Sequence, residues 1–208
     1  MKIHFITFEG GEGSGKTTLI KLLAKDLESA GYPVLTTREP GGSKIAEEIR
    51  NVILNVENTK MDYRTEALLY AASRRQHLKE IILPAIEKDM LVICDRYIDS
   101  SLAYQGYARG LGIDEVYNIN LYATGGLLPD LTILIDEEAE VGLARIKQNN
   151  RDINRLDLEK INFHKKVREG YLEVYKRFPE RIVKVNGDQT IENVYRDVYK
   201  IVIEKIKG

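Results

Sequence analysis

The glycine-rich segment 10–17 constrains the fold of this chain more than any other part of the sequence. Its residues, GGEGSGKT, match the pattern G-x-x-x-x-G-K-[ST], which cradles phosphates when a strand precedes it and a helix follows it. The residue pattern meets both conditions, since Ile3–Glu9 is predicted as a strand and Gly15–Gly31 as a helix. Glycines let the backbone turn tightly and point its N–H groups at an anion, and the helix N-terminus adds its positive end.

We therefore expect this loop to bind a nucleoside triphosphate such as ATP. Lys16 is expected to bridge the β- and γ-phosphates, and the Thr17 hydroxyl is expected to bind Mg²⁺. The other nucleotide-binding candidates in and beside the loop are Gly10, Gly11, Glu12, Gly13, Ser14, Gly15 and Thr18.

Short apolar, β-branched runs alternate with longer amphipathic stretches along the chain. This alternation predicts an α/β fold, a parallel sheet of five strands with helices on both faces. In such sheets, ligands collect where the carboxyl ends of strands meet helix N-termini. The predicted strands are Ile3–Glu9, Pro33–Arg38, Leu91–Asp95, Leu131–Asp136 and Arg181–Asn186. The predicted helices are Gly15–Gly31, Ser43–Leu54, Arg64–Lys88, Ile113–Tyr122, Glu138–Ile146, Leu158–Phe178 and Thr190–Ile206.

The composition fits one globular domain that spans residues 1–208. The chain has 31 Lys and Arg residues against 32 Asp and Glu, and this balance gives no reason to expect nucleic acid or an anionic membrane as partner. Cys94 is the single cysteine, which excludes an internal disulfide and is compatible with a reducing compartment. No apolar run approaches the roughly 20 residues of a transmembrane helix. We therefore expect a cytoplasmic protein with no membrane or nucleic-acid partner.

A second polar pair follows a predicted buried strand. Leu91–Asp95 ends in an acid, and Arg96 comes next. An aspartate at a strand end beside a phosphate loop suits the Mg²⁺ shell or the activation of an acceptor, and an arginine there suits a bidentate hold on phosphate. The alternative is an Asp–Arg surface pair that caps the strand. Cys94, within the strand, is interpreted as a small core residue rather than a nucleophile.

Two further segments place base-reading side chains at helical spacing. Ser101, Tyr104 and Gln105 would share one helix face with a hydroxyl, a ring and an amide. Tyr70 and Arg74 lie one turn apart, so that a base could stack on the ring and accept a hydrogen bond from the arginine. Ordinary core packing is the alternative reading of Tyr70.

These segments together resemble the thymidylate kinase family over nearly the whole chain. The resemblance rests on FEGGEGSGKTT at 8–18, REPGG at 38–42, LLYAASRRQH at 68–77 and DRYIDSSLAYQG at 95–106. It implies a P-loop fold of the nucleoside monophosphate kinase type, usually as a homodimer. The implied reaction transfers the γ-phosphoryl group of ATP to dTMP with Mg²⁺.

The resemblance also implies roles for individual acceptor-site residues. Glu12 resembles the loop acid that contacts the sugar 3′-hydroxyl, and Tyr104 resembles the ring that leaves no room for a 2′-hydroxyl. The residues implied to bind the acceptor phosphate are Arg38, Arg96 and Arg50, and those implied to meet the base are Tyr70, Arg74, Ser101 and Gln105. Tyr70 departs from the family pattern, because the stacking position is commonly Phe.

The polar segment at about 147–157, which reads KQNNRDINRLD, is predicted to be a mobile lid. The phosphate loop contains no arginine, and family members of that kind carry arginines in the lid instead. Arg145 is therefore a candidate for nucleotide binding, and Arg151 and Arg155 are candidates for catalysis. The usual lid ending Asp-Arg-[Phe/Ile]-Glu reads Asn-Arg-Leu-Asp at 154–157, which leaves the division of roles among these arginines open.

Two other functions stay open at this stage. One is a different nucleotide kinase or a deoxynucleoside kinase, although a nucleoside would not need the two arginines Arg38 and Arg96. The other is a P-loop module that binds nucleotide without catalysis, which would not need base-reading side chains at helical spacing.

Overall fold

The computed structural model describes residues 3–148 and 154–208 and has a five-stranded parallel sheet at its centre. The strand order is β2-β3-β1-β4-β5, and every pairing is parallel. The predicted fold class is therefore confirmed. The strands are β1 Phe5–Gly10, β2 Val34–Arg38, β3 Leu91–Asp95, β4 Leu131–Asp136 and β5 Ile182–Asn186, each within two residues of the predicted bounds.

Helices cover both faces of the sheet because successive strand residues point to opposite sides. Phe5 packs into one core cluster with Val167, while its neighbour Ile6 packs into the other with Leu19 and Val198. The α-helices are α1 Lys16–Ser29, α2 Lys44–Leu54, α3 Tyr63–His77, α4 Leu83–Glu87, α5 Ile98–Ser101, α6 Ile113–Thr124, α7 Ala139–Gln148, α8 Ile161–Arg177 and α9 Ile191–Lys207. Among the described helices, none combines the length and the apolar character needed to cross a membrane.

The structure corrects the prediction of one continuous helix over Arg64–Lys88. A π-helical segment, Leu78–Ile82, separates α3 from α4. Pro84 lies in the first turn of α4, and its ring lacks an N–H and clashes with the carbonyl of the preceding turn, so the backbone widens just before it. A second π-helical segment, Leu102–Ala108, continues α5 and carries Tyr104 and Gln105, while Ser101 is the last residue of α5. A 3₁₀ turn, Arg155–Leu158, precedes α8.

The sheet register brings the predicted polar residues to one edge. Asp95 lies beside Phe8 of β1 and beside Arg38 of β2, while Gly10 lies beside Ile135 of β4. The carboxyl ends of β1, β2, β3 and β4 therefore lie at one edge of the sheet, beside the phosphate loop. This edge is where ligands bind in open α/β sheets.

Candidate active site

The phosphate loop joins β1 to α1 in a conformation that only glycine adopts readily. Gly10, Gly13 and Gly15 have φ angles of 141°, 77° and 82°. A Cβ atom at Gly13 would lie 2.1 Å from the carbonyl oxygen of Gly142 in α7, so the loop and α7 touch backbone to backbone. The contact with α7 therefore holds the phosphate loop on one side.

Lys16 holds its ammonium group inside this loop. Nζ donates to the carbonyl oxygens of Gly10 and Gly11 at 3.1 and 2.8 Å and to Ser14 Oγ at 2.9 Å. The side chain is buried, and burial together with the positive charge of Arg96 lowers the pKa of Lys16 to about 8. An anion in the loop would relieve this cost, which is the property expected of a phosphate-binding lysine.

The two predicted Mg²⁺ ligands touch each other. Thr17 Oγ1 donates a hydrogen bond to Asp95 Oδ2 at 2.8 Å across the loop. Both side chains offer an oxygen atom as a metal ligand, and Mg²⁺ sites of nucleotide enzymes combine one or two such protein oxygens with phosphate oxygens. Thr17 and Asp95 therefore fit the group that the sequence predicts.

Arg96 links the phosphate loop to the neighbouring cavity. Its φ angle of 71° lies in the left-handed region, which turns the chain sharply after β3. One guanidinium nitrogen donates to the Gly10 carbonyl oxygen at 3.0 Å, and the other donates to Glu12 Oε1 at 2.8 Å. The guanidinium also lies 5.2 Å from the centre of the Tyr104 ring, whose hydroxyl donates to Glu12 Oε1 at 3.0 Å.

A cavity opens beside Arg96, and a larger cleft lies over the phosphate loop. Glu12 and Arg96 belong to the walls of both, so a molecule in either space would contact the same two side chains. The structure brings most of the predicted acceptor-site residues to the smaller cavity: Glu12, Arg50, Tyr70, Arg74, Arg96, Tyr104 and Gln105.

Two predicted acceptor-site residues, Arg38 and Ser101, are not part of the cavity wall. Arg38 pairs with Glu47 at 3.0 Å and donates to the Pro40 carbonyl oxygen at 2.9 Å, an oxygen that Arg50 also contacts at 2.8 Å. Ser101 is buried, and its hydroxyl accepts a hydrogen bond from the side chain of another predicted residue, Arg74.

Arg74 is fixed by buried partners on several elements. Nε donates to Glu39 Oε2 at 2.7 Å, and the terminal nitrogens donate to Ser101 Oγ at 3.0 Å and to the Tyr97 carbonyl oxygen at 2.8 Å. The side-chain oxygen of Asn120 accepts a further bond. These four donations leave one of the five guanidinium hydrogens for a ligand, in a direction that the protein sets.

Comparisons with known proteins agree with this arrangement. The family model described as Thymidylate kinase matches residues 8–198. The chain belongs to the thymidylate kinase family. The thymidylate kinase of Clostridium novyi is 59% identical over 195 residues, which cover 93% of this chain and 95% of that protein. The thymidylate kinase of Bacillus cereus is 57% identical over 207 residues, covering 99% of this chain and 100% of that protein.

A solved structure with the same fold adds to these sequence matches. The crystal structure of thymidylate kinase from Ehrlichia chaffeensis superposes with a TM-score of 0.79 at 32% identity. The match covers 97% of this chain and 100% of that one. The family assignment predicted from the motifs is therefore confirmed.

The structure also reveals a set of residues behind Arg96 that the sequence did not single out. Ser100 Oγ and Tyr171 OH donate to buried Glu9 at 2.5 and 2.9 Å, and Arg96 donates to both of those hydroxyl groups at 3.2 and 2.8 Å. Burial and the nearby Asp99 carboxylate raise the pKa of Glu9 to about 7. The one local signal was an acidic residue next to the phosphate loop; Tyr171 is far away in the sequence and gave none.

The predicted lid arginines are placed very differently in this thymidylate kinase family member. Arg145 pairs with Glu137 at 2.6 Å near the end of β4. Arg155 is buried, pairs with Glu66 at 2.5 Å and donates from Nε to the Ile53 carbonyl oxygen at 2.8 Å. These contacts hold Arg155 against α2 and α3 rather than at the phosphate loop, so its catalytic role stays a prediction. Arg151 and the other residues of 149–153, the middle of the predicted lid, lie outside the described residues.

Proposed function

We propose that this chain is an ATP-dependent dTMP kinase, which transfers the γ-phosphoryl group of ATP to dTMP and yields dTDP for dTTP synthesis. One observation carries the proposal: the cleft over the phosphate loop and the smaller cavity, which is lined by the side chains predicted to contact the nucleobase, share Glu12 and Arg96 as walls. A nucleoside triphosphate in one space and a nucleoside monophosphate in the other would meet at those side chains. Membership of the thymidylate kinase family supports the choice of thymine as the base.

Donor binding and phosphoryl transfer follow from the charges around the loop. Lys16 and the loop N–H groups hold the phosphates of ATP, and Thr17 and Asp95 would hold Mg²⁺. When bound, the metal neutralises charge on the β- and γ-phosphate oxygens. Arg96, between the two spaces, binds the acceptor phosphate and orients its oxygen for in-line attack on the γ-phosphorus, from which ADP departs. A lid over the nucleotide would exclude water and limit wasteful hydrolysis.

Acceptor selection is assigned to the cavity side chains. Tyr70 forms a wall on which thymine stacks, and Arg74 presents its remaining N–H to a thymine carbonyl. Tyr104, packed against Phe163 and hydrogen-bonded to Glu12, is held where a ribose 2′-hydroxyl would need space. The carboxylate of Glu12 accepts a hydrogen bond from the sugar 3′-hydroxyl.

Comparing dTMP with thymidine as acceptor tests the class of the enzyme. The partly buried guanidinium of Arg96 lines the acceptor cavity, where it can pair with a phosphate group of the acceptor. We expect dTDP from dTMP and ATP, and no detectable dTMP from thymidine and ATP. Phosphorylation of thymidine at a higher rate than dTMP would indicate a deoxynucleoside kinase. Binding of ATP without phosphorylation of either acceptor would indicate a module that binds nucleotide without catalysis.

ATP affinity is expected to fall with rising pH because of Lys16. Its pKa of about 8 means that the free protein loses this charge above that pH, whereas bound triphosphate favours the charged form. The dissociation constant of ATP should therefore rise about tenfold between pH 7 and pH 9. Calorimetric titration without acceptor measures this change. The variant Lys16→Met should bind ATP weakly, with the same dissociation constant at pH 7 and pH 9. A dissociation constant of the wild-type protein that changes less than twofold would contradict the role of Lys16 in ATP binding.

We also propose that the enzyme acts as a single domain and as a cytoplasmic homodimer. Leu68 on α3 and Tyr122 on α6 support a dimer, because these apolar side chains are 56% and 91% exposed on two helices that pack together. Sedimentation equilibrium should give twice the chain mass of 23.7 kDa. A monomeric mass at micromolar concentration would contradict the homodimer.

A further inference from the structure

The Glu66 carboxylate connects three polar side chains beneath the acceptor cavity. Glu66 lies in the first turn of α3, is fully buried and is not part of the cavity wall. Oε1 accepts from Gln105 Nε2 at 2.9 Å and from Arg109 Nε at 3.3 Å. Oε2 accepts from Arg109 at 3.3 Å and from Arg155 at 2.5 Å.

The surroundings of Glu66 keep it ionised. Burial acts to raise its pKa, but the charge of Arg109, the hydrogen bond from Gln105 and the charge of Arg155 outweigh burial, so the pKa is lowered. An ionised carboxylate accepts hydrogen bonds and cannot donate them. Glu66 therefore presents only acceptors to its neighbours.

This restriction fixes which end of the Gln105 amide faces the cavity ligand. The NH₂ group must point at Glu66, because an amide oxygen placed against a carboxylate would be repelled. Gln105 is 1% exposed and lines the cavity, and its Oε1 has no hydrogen-bond partner within the described ranges 3–148 and 154–208. A buried acceptor without a partner is costly, so it favours a ligand that brings a donor.

We infer that Glu66 is a positioning residue for base selection: by holding the Gln105 amide in one orientation, it makes the cavity favour a base with a ring N–H over one with a ring-nitrogen acceptor. This inference rests on the proposed function. Thymine has an N–H at ring position 3, whereas cytosine has a lone pair there. The fixed acceptor of Gln105 pairs with the first and repels the second.

The variant Glu66→Gln tests the inference, because a glutamine at position 66 offers both a donor and an acceptor and lets the Gln105 amide turn over. We expect the ratio of kcat/KM for dTMP to that for dCMP to fall at least about tenfold. Glu66→Asp keeps an acceptor-only group and should retain more of the ratio than Glu66→Gln. A ratio in Glu66→Gln within threefold of the wild-type value would overturn the inference.

Arg109→Lys is the matched control. It disturbs the same carboxylate and lowers stability, but it leaves the charge beside Glu66 and the contact between Glu66 and Gln105. The discrimination ratio should therefore stay within threefold of wild type, even if the melting temperature falls as far as in Glu66→Gln. Equal losses of discrimination in the two variants would show a general packing effect and overturn the inference.

A measurement on the wild-type protein covers the case in which Glu66→Gln does not fold. In NMR spectra, the signal of the Gln105 side-chain amide is identified because it is missing from the spectrum of Gln105→Leu. The protons of this amide should exchange with solvent far more slowly than those of exposed side-chain amides. Exchange at the rate of exposed amides would overturn the inference. If the wild-type enzyme itself does not prefer dTMP to dCMP, the proposed function fails. If the wild-type enzyme prefers dTMP and Glu66→Gln keeps that preference, the proposed function stands and only the role of Glu66 is overturned.

Discussion

Replacing Arg96 by Lys is expected to lower kcat/KM for dTMP by about 10²- to 10³-fold. The guanidinium donates to the Gly10 carbonyl oxygen, Glu12, Ser100 and Tyr171, so its position is set by partners on β1, the phosphate loop, α5 and α8. A lysine ammonium is a single point charge on a flexible stem and cannot meet these partners and a phosphate in the same geometry. Steady-state kinetics with varied dTMP, and calorimetric titration of dTMP binding, measure the loss.

The backbone offers a check that this effect is not one of folding. Position 96 has φ 71°, and lysine and arginine bear the same strain there, so Arg96→Lys adds no backbone strain. Because it loses side-chain hydrogen bonds, kcat/KM is compared at a temperature at which thermal unfolding shows both proteins to be folded. Arg75→Lys is the matched control, since Arg75 is exposed and makes one long contact with the Ala123 carbonyl oxygen at 3.4 Å. It should keep kcat/KM within twofold. A kcat/KM for dTMP in Arg96→Lys within threefold of the wild-type value would show that Arg96 does not bind the acceptor.

Arg151→Ala is expected to lower turnover at least a hundredfold with dTMP binding little changed. The phosphate loop supplies Lys16 but no arginine, so the charge that develops on the γ-phosphoryl oxygens needs a second cation. An arginine in that role is worth about 10³–10⁵ in turnover in related phosphoryl-transfer enzymes. Single-turnover kinetics at saturating ATP and dTMP measure the effect, and turnover within threefold of wild type would exclude Arg151 from the mechanism.

The neighbouring lid arginine should behave in the opposite way. Arg155 is buried against Glu66 and the Ile53 carbonyl oxygen, so Arg155→Met removes half of the positive charge beside a buried carboxylate. Arg109 remains, so we expect a loss of about 2 kcal/mol in the free energy of unfolding, below the usual cost of orphaning a buried charge. Urea denaturation measures it. Unchanged stability with a hundredfold loss of turnover would instead give Arg155 the catalytic role.

The sequence predicted the features whose signals are local. The phosphate loop is specified by consecutive residues, and the five strands by short apolar runs, because both depend on neighbours along the chain. The pair Asp95–Arg96 was recognised because it follows such a strand directly. Tyr70 and Arg74 were found because one helical turn places them side by side, and both line the cavity.

The partners that hold the site in place could not be predicted, because they are far apart in sequence. Glu9 and Tyr171 are separated by 162 positions, and Arg155 and Glu66 by 89. No periodicity links such residues, and only tertiary packing brings them together. The ion pair between Arg155 and Glu66 is of this kind, since neither residue has a local sequence signal for the other.

A competition assay tests the central claim most directly. The purified chain is incubated with ATP, Mg²⁺ and equal concentrations of dTMP, dUMP, dCMP and dGMP, and the diphosphates are separated and quantified over time. The arrangement of Tyr70, Arg74 and Gln105 around one cavity predicts that dTDP forms fastest. Formation of dCDP, dGDP or dUDP at the rate of dTDP or faster, or no diphosphate at all, would contradict the assignment of this chain as a dTMP kinase.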